Sequence, residues 1–117
     1  MEKLIEQVEQ WAIDKGLDKA EPSKQALKFF EEAGEVAAAL ARNDMDEFKD
    51  AVGDTVVTLI ILAQQKGYTL QECLQTAYDE IKNRTGKMVD GVFIDFASGK
   101  THGFNHGMRA CKCTVSV

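Results

Sequence analysis

Proline is almost missing from this chain: among 117 residues there is one, Pro22. Glycine is sparse until late, with five of the nine at or beyond Gly86. A long stretch without either breaker argues against a barrel or sandwich of many short strands and leaves room for helices. Long apolar runs are also absent. The longest, residues 56–63, is interrupted by Thr58 and falls far short of the ~20 residues that cross a bilayer. The opening MEKLIEQVEQ alternates acids with apolar residues and has no signal-peptide core. Cysteine is confined to Cys73, Cys111 and Cys113, an odd number without framework spacing, as expected of a reducing compartment. We therefore expect a cytoplasmic protein with no membrane partner. Basic charge is scarce as well. The net charge is −5, and residues 1–60 carry 14 acids against 7 bases. No basic stripe is available for a nucleic acid.

What is present suffices for one folded domain: 44% of residues are hydrophobic and 28% charged. Apolar spacing predicts four helices. The first runs from Glu2 to Lys15 with Leu4, Ile5, Val8, Trp11 and Ala12 on one face, and Gly16 stops it. The second follows Pro22, with Ser23 as cap, and reaches Arg42; its expected core stripe is Ala26, Phe30, Ala33, Ala37 and Leu40. Asn43 or Asp44 caps the third, which extends to Lys66. Thr69 and Glu72 form a capping-box pattern for the fourth, which ends near Thr85. Short connections favour antiparallel neighbours, hence an all-α four-helix bundle. The third helix is apolar nearly all round, which suggests an oligomer whose interface completes the core. After Gly86, MVDGVFIDF alternates well enough for a short extended segment or hairpin at Asp90-Gly91. We expect the domain to span 1–95, with 96–117 as loop or disordered tail. His102, His106, Cys111 and Cys113 in that tail match no closed zinc pattern.

The chemistry concentrates in acids. Glu31, Glu32 and Glu35 of EEAGE are spaced i, i+1, i+4 and share a helix sector. Glu47, Asp50 and Asp54 share a sector of the third helix that continues into Val57 and Ile61. Acids in line with apolar residues are more than solvated decoration. Packed antiparallel, the two clusters would meet and repel, so they call for a cation; all-oxygen ligation selects hard ions, Mg²⁺ first and Mn²⁺ second. The plainer alternative is a solvated face of Lys24, Lys28, Glu31, Glu32, Glu35 and Arg42 linked by ion pairs.

EEAGE followed by DAVGD resembles the EExxE…ExxD signature of the all-α nucleoside triphosphate pyrophosphohydrolases, the MazG-like group, over residues 1–95. The resemblance implies a homodimer or homotetramer that hydrolyses a nucleoside triphosphate to monophosphate and pyrophosphate with Mg²⁺. It also implies Glu32, Glu35 and Asp54 as metal ligands, with Glu31 and Glu35 catalytic; Glu31 would orient or deprotonate the attacking water. One position departs: the glutamate expected three residues before Asp54 is Ala51. Asp50 faces the Asp54 side and is expected to substitute. Lys82, Arg84 and Lys87 resemble the family's phosphate-binding segment, although cations at a helix C-terminus also favour its dipole. Lys28 shares the carboxylate face and either pairs with acids or reaches a phosphate. Trp11 is a candidate base-stacking residue, with core packing as the ordinary alternative. A catalytically weak or silent helical oligomer that binds nucleotide or a partner protein is the competing reading, and Ala51 is its support.

Overall fold

The computed structural model describes residues 1–95, which divide between two compact units, the first spanning 1–75 and the second beginning at Thr76. In the first unit, α1 spans Glu2–Asp14, a single 3₁₀ turn spans Leu17–Lys19, α2 spans Pro22–Ala41 and α3 spans Met45–Gln65; α4, Leu70–Ile81, begins in this unit and ends in the second. Among the described residues the four expected helices are therefore all present. The tail, with His102, His106, Cys111 and Cys113, lies outside the described residues.

Local chemistry explains the boundaries. Pro22 occupies the first turn of α2, where its missing N–H costs nothing, so the helix starts ahead of the expected Ser23 cap. At the far end Asn43 takes a left-handed conformation (φ 57°) and Asp44 returns its backbone N–H to the carbonyl of Ala39. Asp44 then caps α3 by accepting the Glu47 N–H at 3.2 Å. With the reversal completed over so few residues, α2 and α3 form an antiparallel hairpin, the most extensive helix pair among the described residues. At α4 the capping box is reciprocal: Glu72 N–H donates to Thr69 Oγ1 at 3.1 Å, and Thr69 N–H donates to Glu72 Oε1 at 2.9 Å.

Glutamine amides tie the helices of this unit together. Gln25 donates to the Thr58 carbonyl at 3.1 Å, Gln64 to the Glu9 carbonyl at 3.1 Å, and Gln65 to the Leu17 carbonyl at 2.9 Å. The buried apolar set is small: Ile5, Ala12, Ala39, Ala51, Ile60 and Ile61. Thr58 is buried too, its hydroxyl donating to the Thr55 carbonyl at 2.6 Å.

The expected core stripe of α2 holds at the half-buried Ala26 and Ala33 and needs correcting at its other three members. Phe30 and Leu40 are 68% and 60% exposed, and Ala37 is exposed, while Gln25, Phe29, Glu32 and Val36 are half-buried and Ala39 is buried. Those inward residues recur at helical spacing and mark the face that meets α3. Leu27, Phe30 and Leu40 instead have exposed side chains. Likewise α3 is not buried all round, since Val52 is exposed.

In the second unit α4 ends at Ile81, earlier than the spacing predicts. Strand β1, Gly86–Val89, pairs antiparallel with β2, Val92–Asp95, in the register Gly86↔Asp95 and Val89↔Val92. Asp90 (φ 51°) and Gly91 (φ 80°) form the turn, the left-handed pair that a two-residue hairpin requires. A side chain at Gly86 would run into the Ile94 carbonyl oxygen across the ladder, so glycine suits that position for space.

Candidate active site

The α2–α3 hairpin brings the two acidic segments into neighbouring helices, and its register decides which acids face each other. The Gln25–Thr58 hydrogen bond at one end and the Asn43–Asp44 turn at the other level Glu32 with residues 51–55 of α3. Glu32 lies on the inward face of α2, its side chain only 14% exposed. Ala51 is buried at the facing level, only 1% exposed. The methyl group thus occupies the α2-facing position of the departed motif residue.

Glu31 and Glu35 are exposed on α2. Lys28 sits one turn back and serves two carboxylates: its Nζ donates to Glu31 Oε1 at 3.0 Å and stands 3.4 Å from Glu32 Oε1. The hydrogen bond it donates to Glu31, then that to Glu32, raise the Lys28 ammonium above its ordinary pKa. Glu31 and Glu32 therefore converge on one positive charge.

Asp50 and Asp54 lie on a different stripe of α3. They line an open groove of about 630 Å³ between α1 and α3, with Asp46 and Lys49 beside them and Leu4, Ile5, Val8 and Val57 among its apolar walls. Adjacent positions on a helix point about 100° apart, so Asp50 faces this groove while Ala51 faces α2. Glu47 does not join the groove's lining; it is half-buried at the α3 N-terminus. Sequence spacing missed Asp46, although its i, i+4, i+8 relation to Asp50 and Asp54 was a legible signal.

Trp11 is 48% exposed and borders a shallow apolar depression of about 310 Å³ with Gln7, Val8 and Val57. In the second unit, Lys82 pairs with Asp79 at 3.2 Å and Arg84 with Glu80 at 3.3 Å. Lys87 is exposed on β1 opposite Ile94.

The donor set is all oxygen, which suits a hard divalent ion. Among the described residues, however, no three carboxylate, histidine or cysteine side chains are grouped closely enough to hold one. Such a set fits an ion that keeps several waters and takes further ligands from a substrate's phosphates, the usual manner of Mg²⁺. It does not fit a preformed protein cage.

The sequence profile of the MazG nucleotide pyrophosphohydrolase domain matches residues 21–89, more than half of the chain and inclusive of both acidic segments. An uncharacterized 18.2 kDa protein from the rep-hol intergenic region of Haemophilus phage HP1 is 42% identical over 66 residues, 56% of this chain. The matched region covers 40% of that relative's length. No solved structure matches the chain significantly. Among the described residues, no helix is long and apolar enough to cross a membrane.

Proposed function

Because the chain belongs to the MazG nucleotide pyrophosphohydrolase domain family, we propose that it is a Mg²⁺-dependent hydrolase that cleaves a ribo- or deoxyribonucleoside triphosphate to monophosphate and pyrophosphate. The observation that carries this reading is the placement of both acidic segments, EEAGE and DAVGD, on the paired helices α2 and α3 within the matched region. Glu32, Glu35 and Asp54 are the proposed metal ligands. Asp50 supplies a further carboxylate from the groove side, its short stem reaching through a water. Mn²⁺ is an acceptable replacement for Mg²⁺ on the same oxygen chemistry.

A bound divalent ion supplies charge neutralisation of the phosphates and acidifies a water. The protein's own part is positioning and proton transfer. Glu31, exposed and one helical turn from Glu35, orients the attacking water and accepts its proton, and Glu35 keeps the reacting phosphate and water in register. Lys28 is a proposed phosphate contact when released from its carboxylates. Lys82, Arg84 and Lys87 enter as phosphate-binding cations on the resemblance alone, and Trp11 as a base-stacking side chain at the border of its apolar depression. The small buried core and the exposed Leu4, Leu27, Phe30 and Leu40 support a homodimer or homotetramer.

A second reading is favoured by one specific pair of observations. Ala51 removes a motif carboxylate, and no three-ligand cluster forms among the described residues. On that reading the chain is a silent helical oligomer that binds nucleotide or a partner protein. The test is pyrophosphate release from a panel of nucleoside triphosphates with Mg²⁺ or EDTA. Release abolished by EDTA supports the hydrolase. No release from any triphosphate, by protein that is helical by circular dichroism, supports the silent oligomer.

A further inference from the structure

We infer that Lys28 is a built-in competitor cation: in the free protein its ammonium is shared by Glu31 and Glu32, and a divalent cation competes with it for Glu32. This inference rests on the reading of the site given above.

The geometry comes first. Lys28 Nζ lies 3.0 Å from Glu31 Oε1 and 3.4 Å from Glu32 Oε1, at spacings of i, i+3 and i, i+4 on one helix. Residues at those spacings are surface neighbours on a helix, so one ammonium reaches both acids with no change in the backbone. The two acids differ in their access to solvent: the Glu31 side chain is 64% exposed and that of Glu32 14%. Water screens Glu31 well and Glu32 poorly, so the inward carboxylate depends more on its cation.

The second observation lies across the hairpin. At the level of Glu32, α3 presents the buried Ala51 where the family's pattern has a carboxylate. One negative charge fewer on that face weakens the demand for a doubly charged ion and leaves a balance that a single ammonium offsets better. A divalent ion arriving at Glu32 would stand close to Lys28, and like charges at such range repel. The two cations therefore weaken each other's hold on Glu32. Lys28 is half-exposed, so its ammonium can swing into water or toward an incoming phosphate. Metal and triphosphate consequently bind better together than either does alone, because the phosphates give the displaced ammonium a new partner.

The experiment is a titration of the full chain with Mn²⁺, read by electron paramagnetic resonance, for wild type, Lys28→Met, Lys28→Gln and Lys28→Arg. It is run with Mn²⁺ alone and then with an α,β-methylene triphosphate that cannot be hydrolysed between its first two phosphorus atoms. Lys28→Met and Lys28→Gln are expected to bind Mn²⁺ alone about two- to fivefold more tightly, the scale an exposed ion pair supports. Both are expected to lose part of the gain that wild type shows when the analogue is added. Lys28→Arg, which keeps a cation there, stays near wild type. Unchanged or weaker Mn²⁺ binding in both neutral variants overturns the inference and leaves the reading of the site intact. Absence of Mn²⁺ binding to every protein, with and without the analogue, overturns the site reading and the inference together.

Discussion

The acids of α2 and those of α3 meet their surroundings in opposite ways. On α2, Glu31 and Glu32 come with their own cation, and Glu32 turns inward toward the partner helix. On α3, Asp50 and Asp54 stand along an open groove whose walls are mostly aliphatic, and the motif position that faces α2 carries only the methyl of Ala51. On one segment a single lysine serves two of three glutamates and one of them packs inward; the other is open and lacks one acid. No three ligating side chains gather in advance among the described residues; on the function proposed above, the bound substrate completes the site.

The comparison breaks most visibly at the carboxylates themselves. Glu32→Gln is expected to lower pyrophosphate release by more than the about 10- to 100-fold that loss of an outer-shell partner of a metal ligand costs. Asp54→Asn should match it, whereas Asp50→Asn should cost less, because its proposed contact runs through water. Equal losses at Asp50 and Asp54, measured by initial rates at saturating Mg²⁺, would place both in direct contact.

Packing beneath the groove comes next. Ile60 is 2% exposed and lines the α1–α3 groove, while Leu27 is 69% exposed on α2. Ile60→Ala should cost about 2–5 kcal/mol in urea unfolding, and Leu27→Ala within about 0.5 kcal/mol for the isolated chain. A larger, concentration-dependent cost at Leu27 would show that a second copy covers that flank.

Restoring the missing acid sharpens the contrast further. Ala51→Glu introduces a carboxylate at a buried position facing α2, and should lower stability by about 1–3 kcal/mol without divalent ions. Adding Mg²⁺ should recover part of that loss and raise Tm more than it does for wild type. A Tm indifferent to Mg²⁺ would mean that position 51 does not face the site.

The smallest effect belongs to the Lys28 pairs. The folded pKa of Lys28 lies above its ordinary value, so its contribution is complete below the unfolded pKa of about 10.4 and disappears as pH rises through the higher folded value. Wild type and Lys28→Met should therefore converge in stability only in strongly alkaline solution, and their difference should stay constant from pH 6 to 9. The check is a set of urea midpoints across that range.

Much of the fold was legible because its signals are local. Pro22, the Asn43–Asp44 turn, the Thr69–Glu72 box and Asp90-Gly91 each act within a few residues, and the structure uses every one. The inward face of α2 was not legible. Phe29, Phe30, Val36 and Leu40 spread apolar surface around much of that helix, so periodicity supports more than one stripe. The choice was made by α3, through Gln25 and Thr58, residues far apart in sequence. That same choice turned Glu32 inward, away from a solvated face shared with Glu31 and Glu35. The acids were recognisable as a pattern; that Glu32 packs inward while Asp50 and Asp54 line a groove depends on tertiary register.

The most direct test of the central claim is ³¹P nuclear magnetic resonance of the wild-type reaction, with the accepted triphosphate, Mg²⁺ and ¹⁸O-labelled water. The account predicts equimolar monophosphate and pyrophosphate, with no diphosphate signal, and no reaction by Glu32→Gln or in EDTA. Diphosphate and orthophosphate as products, or turnover that survives EDTA, would contradict it.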